Sequence, residues 1–154
     1  MKLLAASTLV LAIAVSAATA AWKIADVPLK TRWADQVDPA NVLPEYPRPQ
    51  MVRPQWLNLN GLWEFQEASP PDALPTGRSL REIILVPFPW ESALSGLRRQ
   101  VASQRAHYRR TFEVPPAWRT GGQRVLLHFE AVDWEATVYL NGRWQNFDNT
   151  PAYW

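Results

Sequence analysis

The sequence predicts an all-β protein, an antiparallel β-sandwich. Three observations predict it. Between Tyr108 and Leu140, apolar residues recur with period two in three separate runs: Tyr108, Phe112 and Val114 with Arg110, then Val125, Leu127 and Phe129, then Ala136, Val138 and Leu140. Such alternation marks strands buried on one face only. The runs are divided by turn formers, Pro115-Pro116, Gly121-Gly122 and Asn141-Gly142. Proline has no N–H for a ladder, and Asn-Gly supplies the two positive φ angles of a tight hairpin. Finally, no heptads, helical stripe or internal repeat runs through the 154 residues.

The elements follow in order. Residues 1–20 read as a signal peptide: Lys2 is its positive start, Leu3 to Val15 its apolar run, and Ala18-Thr19-Ala20 a small-x-small cleavage site. That run is too short for a comfortable membrane span. The expectation is export to the periplasm or beyond, cleavage near Ala20, and no membrane attachment afterwards. Residues 21–54 form an extended, proline-rich leader, because Pro28, Pro39, Pro44, Pro47, Pro49 and Pro54 forbid long helices and central strands. Residues 55–154 make the sandwich. Its first strand region is Trp56 to Gln66, with Trp63 and Phe65 turned one way and Glu64 and Gln66 the other. Ala68 to Arg78 is a loop, Ile83 to Val86 a short aliphatic strand stopped by Pro87 and Pro89, and Ser92 to Ala106 a long loop. Phe112, Val125, Leu127, Phe129, Val138 and Leu140 are the expected centre of the core.

Composition excludes several functions. The chain has no cysteine, so it holds no disulfide, thiolate zinc site or lipoprotein anchor. A net charge of +2 gives no field for nucleic acid or an anionic membrane. Alternation sends Arg109 and Arg110 to opposite faces, so they are not expected to share a surface. His107 and His128 lie apart, whereas a metal needs three or four converging ligands. No nucleophile elbow or phosphate loop is present. Hydrolysis by a pair of carboxyl groups needs the two about 5–10 Å apart across one bond. The only close acidic pair in a structured stretch, Asp133 and Glu135, reads instead as a turn cap followed by the start of a strand. No catalytic, cofactor-binding or metal-binding residue is assigned, and no cofactor is expected. Nine tryptophans are a large excess for this length. Most fill cores, but an indole also suits the C–H face of a pyranose. Trp90, Trp134 and Trp144 lie at loop or turn positions, where binding residues concentrate. They are the candidates for contact with carbohydrate, and Glu91, in a loop that the resemblance given below implies lies toward the rim of its domain, is the candidate for contact with a neighbouring domain.

The wording of several segments goes further. Pro47–Phe65, Val86–Ser92, Tyr108–Arg110, Pro115–Trp118, Gly122–Val125, Leu127–Phe129, Ala131–Asp133 and Val138–Gly142 stand in a characteristic order. In that order and spacing they resemble the N-terminal sugar-binding domain of glycoside hydrolase family 2, which includes β-galactosidases, β-glucuronidases and β-mannosidases. The resemblance covers about residues 24 to 143. It implies a jelly-roll of the galactose-binding-domain type, and a parent enzyme that cleaves terminal β-linked sugars by a retaining mechanism. The family's catalytic glutamates lie on a later (β/α)₈ barrel, which needs about 250 residues. This chain is therefore expected to be inactive alone. Its expected partners are carbohydrate, bound weakly, and the parent's barrel. From Arg143 to Trp154 the sequence departs from the family's continuation, as in a truncated or frame-shifted product. A sandwich cut there is expected to be incomplete and to self-associate through an open edge. The other readings are a stand-alone carbohydrate-binding module and a scaffold domain that binds nothing.

Overall fold

The structure is a computed structural model that describes residues 21–68, 74–103, 105–130, 132–133 and 135–144, Trp144 with its backbone only. Residues 1–20, expected above to be a signal peptide, the residues after Trp144, and Trp134 lie outside this set. Five strands are present among the described residues: β1 (Gly61–Glu67), β2 (Glu82–Val86), β3 (Ala106–Arg109), β4 (Tyr139–Leu140) and β5 (Arg143–Trp144). Four short 3₁₀ turns accompany them, and no α-helix. The protein is thus mostly β, as the alternation predicts.

β1 is the middle strand of a three-stranded antiparallel sheet in the order β2-β1-β3. Gly61 to Phe65 pair with Val86 to Glu82, and Glu64 to Glu67 pair with Arg109 to Ala106. This register sets the two faces, because side chains alternate along a strand. Trp63, Phe65, Ile84, Val86, Ala106 and Tyr108 share the inner face. Leu62, Glu64, Gln66, Ile83, His107 and Arg109 share the outer one. Phe65 and Ile84 are fully buried and pack with Val101, and Trp63, Val86, Trp90, Leu97 and Ala106 close around them. The cover on this face is the loop of residues 87–101, which opens with a cis Val86–Pro87 bond. It is tied to itself by the Arg99 N–H donating to the Trp90 carbonyl at 3.1 Å. Ser95 is completely buried inside it; its hydroxyl donates to the Ser92 carbonyl at 2.7 Å and accepts the Leu97 N–H at 3.0 Å. The Arg99 guanidinium forks onto Glu82 of β2 with bonds of 2.7 and 2.5 Å. That carboxylate raises the Arg99 pKa from its ordinary value, with burial opposing it.

The leader packs on this sheet through backbone and side-chain bonds. Its residues form no strand, only 3₁₀ turns at Ala34–Gln36 and Pro49–Met51. The Ala25 N–H donates to the Ala93 carbonyl at 3.0 Å. Trp22 lies directly on Gly96, whose φ is +87° and where an added Cβ would come within 2.7 Å of the indole. Further along, the Asn58 amide donates to the Val42 and Leu43 carbonyls at 3.2 and 2.9 Å, and Val42 is buried beneath.

β4 and β5 form a separate hairpin, with Tyr139 opposite Trp144 and Leu140 opposite Arg143. Asn141 and Gly142 take φ angles of +51° and +75°, the two left-handed positions that an Asn-Gly turn supplies.

Two expectations are corrected. The expected core of Phe112, Val125, Leu127, Phe129, Val138 and Leu140 is not the core. Val125, Leu127, Phe129 and Leu140 are 39–48% exposed, and Phe112 and Val138 are only half-buried. Residues 123–129 form no strand. Alternation gives a segment two faces but does not supply the neighbouring ladder that a strand requires. Here β1 already has a partner on each side, and among the described residues neither β2 nor β3 pairs with residues 123–129, which follow the turn at Pro116–Arg119 and the positive φ of Gly121 and Gly122. The second correction concerns Arg109 and Arg110, which border one cleft together with Leu62, Glu64, Ile83 and Thr111. Alternation stops applying to Arg110 because β3 ends at Arg109.

Candidate functional site

The loop of residues 87–92 places Trp90 and Glu91 beside the inner face of the sheet. Trp90 is half-buried. Its ring meets Phe65 edge-on, with centroids 6.2 Å apart. Its indole N–H donates to the Glu91 carboxylate. Phe65 meets a second ring edge-on, that of Tyr108, at 5.2 Å and an interplanar angle of 82°. Edge-to-face contacts of this kind place the positive rim of one ring on the negative face of the other. The Tyr108 phenol is pushed up to about 12, first by burial and then by the negative charge of Glu91. Trp90, Glu91 and Tyr108 therefore form one aromatic and acidic cluster, organised around Phe65.

Of the candidates read from the sequence, the fold brings only Trp90 and Glu91 together. Glu91 is exposed. Trp134 lies outside the described residues, and Trp144 sits on β5 with only its backbone described. Asp133 and Glu135 are exposed. Sequence reasoning missed the part of Tyr108 in this cluster. The alternation placed it on a strand face, but its approach to Phe65 depends on the β1–β3 register, which pairs residues far apart in the chain.

The outer face carries a different constellation. Around the open cleft of about 570 Å³, Arg109 donates through its Nε to the Glu64 carboxylate directly across the ladder. Arg110 donates to the carbonyls of Leu59 and Asn60 at 3.1 and 2.9 Å, and burial lowers its pKa. These arginines are spent on internal partners, so the cleft presents no free cationic patch.

A third place lies where the leader meets residues 128–130. Tyr46 and Trp56 stand 4.7 Å apart at 59° to each other. A shallow groove beside them is bordered by Met51, Arg53, His128 and Glu130. Arg48 reaches Glu130 across it at 3.7 Å. Neither aromatic stood out in the sequence, because Tyr46 sits in a leader without periodicity and Trp56 at the start of the first strand region, before the alternation of Trp63 to Gln66.

Among the described residues no group of three or more His, Asp or Glu side chains converges as a metal site. No helix among them is long and apolar enough to cross a membrane. No protein-family model matches the chain, and no curated protein matches it.

Proposed function

We propose that this chain is the non-catalytic N-terminal sugar-binding domain of an exported family 2 glycoside hydrolase. In that role it contacts carbohydrate and supports the catalytic barrel of the parent enzyme. The observation that carries the proposal is the order of the family-like segments along the chain. Three of them meet in one sheet: Pro47–Phe65 leads into and through most of β1, Val86–Ser92 follows β2, and Tyr108–Arg110 closes β3. A jelly-roll architecture belongs to the same proposal. The outer face, with Leu62 42% exposed beside Ile83, is the kind of surface that a second sheet covers. The exposed alternating runs at residues 125–129 and 136–140 are the segments suited to that layer.

The family's chemistry needs two carboxyl groups facing one glycosidic bond. Glu91 is held by the Trp90 N–H and stands alone in its loop, so it is given no catalytic part. The test is a titration of the whole chain with methyl β-galactoside, β-glucuronide and β-mannoside, followed by tryptophan fluorescence, alongside turnover assays with the aryl glycosides. The expected result is a saturable fluorescence change with at least one glycoside and turnover of none. Turnover abolished by Glu91→Gln or Glu135→Gln would overturn the non-catalytic role. Absence of binding to all three would overturn the sugar-binding role.

A further inference from the structure

We infer that the loop of residues 92–98 is a socket for an extended peptide, filled by the chain's own residues 22–26, which act as a removable strap across it. The inference goes beyond the sugar-binding reading and does not depend on it.

Two residues of this loop stand in the left-handed region, Gly96 at φ +87° and Arg98 at φ +46°. Arg98 carries a side chain there, a conformation that persists only where its surroundings hold it. The leader touches both residues. The Trp22 indole lies against Gly96, and the Lys23 carbonyl is 3.2 Å from where a Cβ on that glycine would stand. The Arg98 guanidinium donates to the Asp26 carbonyl. Between these contacts the Ala25 N–H donates to the Ala93 carbonyl at 3.0 Å. The hydrogen bonds at Ala25 and Asp26 use only the backbone of the leader, so they suit an extended peptide in general. The ring of Trp22 adds the side-chain anchor.

The strap is built to lift. Residues 28–33, which join it to the rest of the leader, are all exposed, Leu29 to 88%. The contacts described for this connection are local: Lys30 with Asp35, the Thr31 carbonyl with the Ala34 N–H, and Arg32 over the ring of Trp33. Residues 22–26 can therefore leave without pulling on the buried Ala34 and Val42. The Trp22 N–H is itself buried and meets no acceptor among the described residues. Burying a donor without a partner opposes docking. On its other side the loop is pinned to the sheet by Arg99, which forks onto Glu82. The strap thus governs the middle of the loop and not its anchored end. Trp90 and Glu91 lead into that same middle, so the strap bears on their placement as well.

The test is amide hydrogen exchange followed by NMR on the full chain. The amides of Ser95, Gly96 and Leu97, each hydrogen-bonded within the loop, report on the socket, and those of the β1–β2 ladder report on the sheet. Trp22→Ala is expected to speed exchange at residues 95–97 about tenfold, the equivalent of about 1.4 kcal/mol of local opening, while the ladder is unchanged. Ala25→Pro, which removes the donor to Ala93, is expected to act in the same direction. A free peptide of residues 21–27 added to Trp22→Ala is expected to restore the protection, and the same peptide with alanine for tryptophan is not. Equal acceleration in loop and ladder, or none at residues 95–97 in either variant, would overturn the strap. Failure of the peptide to restore protection would overturn the socket.

Discussion

The ring of Tyr108 lies edge-on to the buried Phe65 while 41% of the residue stays exposed, and the ionisation of its phenol reports on partial burial and on the charge of Glu91. Its folded pKa, about 12, lies above the ordinary 10.0. A group raised in this way contributes stability that is fully present below the unfolded value and lost as pH rises through the folded one. The alkaline limb between pH 10 and 12 should therefore carry a signature of Tyr108. We expect the melting temperature of wild type to fall more steeply across that window than that of Tyr108→Phe. Glu91→Gln should shift the midpoint of the wild-type limb downward by less than the full displacement, because burial is the larger cause. Equal slopes in wild type and Tyr108→Phe would show that the phenol is not held out of water. The residue scale also explains why one glycine is needed at 61. Its φ is +121°, and a Cβ there would meet the Arg110 guanidinium at 2.9 Å and the Pro39 carbonyl at 3.1 Å. The strand begins where a side chain has no room.

The middle strand concentrates the stability of the sheet. Phe65 is fully buried and touches rings from both a loop and β3. Phe65→Ala should cost about 3–5 kcal/mol in urea unfolding, the range for a buried phenylalanine. Leu127→Ala, at a side chain 39% exposed, should cost less than about 1 kcal/mol. A reversed order would restore residues 125–129 as the core. This contrast marks how far the sequence could be read. β1 and β2 were legible because Trp63 and Phe65 alternate with Glu64 and Gln66, and because Pro87 stops an aliphatic run. The β4–β5 hairpin was legible because Asn141-Gly142 names its own turn. β3 starts two residues before Tyr108 and ends at Arg109, since its length follows the available rungs of β1 and not its own pattern. The run at residues 125–129 has the better alternation and no ladder. Trp90 and Glu91 were legible as loop residues. The groove at Tyr46 and Trp56 was not, because it depends on residues 128–130 coming back to the leader.

At the scale of the whole molecule, apolar surface is left in the open. Val125, Leu126, Leu127 and Val132 are 39–58% exposed, and so are Tyr139 and Leu140 in the hairpin. β2 and β3 are the outermost strands of their sheet. Open edges and contiguous apolar side chains favour pairing with another chain. Sedimentation of the purified chain should show species larger than a monomer whose proportion rises with concentration. The double change Val125→Lys and Leu127→Lys should shift the distribution to monomer, because charge on such a segment opposes stacking and edge pairing. A monomer at all concentrations in wild type would remove self-association from the account.

The strand order also sets a timetable during synthesis. β1 lies between its partners in space but precedes both in the chain. From Glu67 to Arg109, ribosomes adding about 5–20 residues per second take roughly two to eight seconds. Through the later part of that interval β1 holds only β2, and a lone two-stranded hairpin is marginal in water. The flank of β1 that β3 will occupy is then an open template. Any extended peptide nearby, including another copy of this chain, competes with β3 for it.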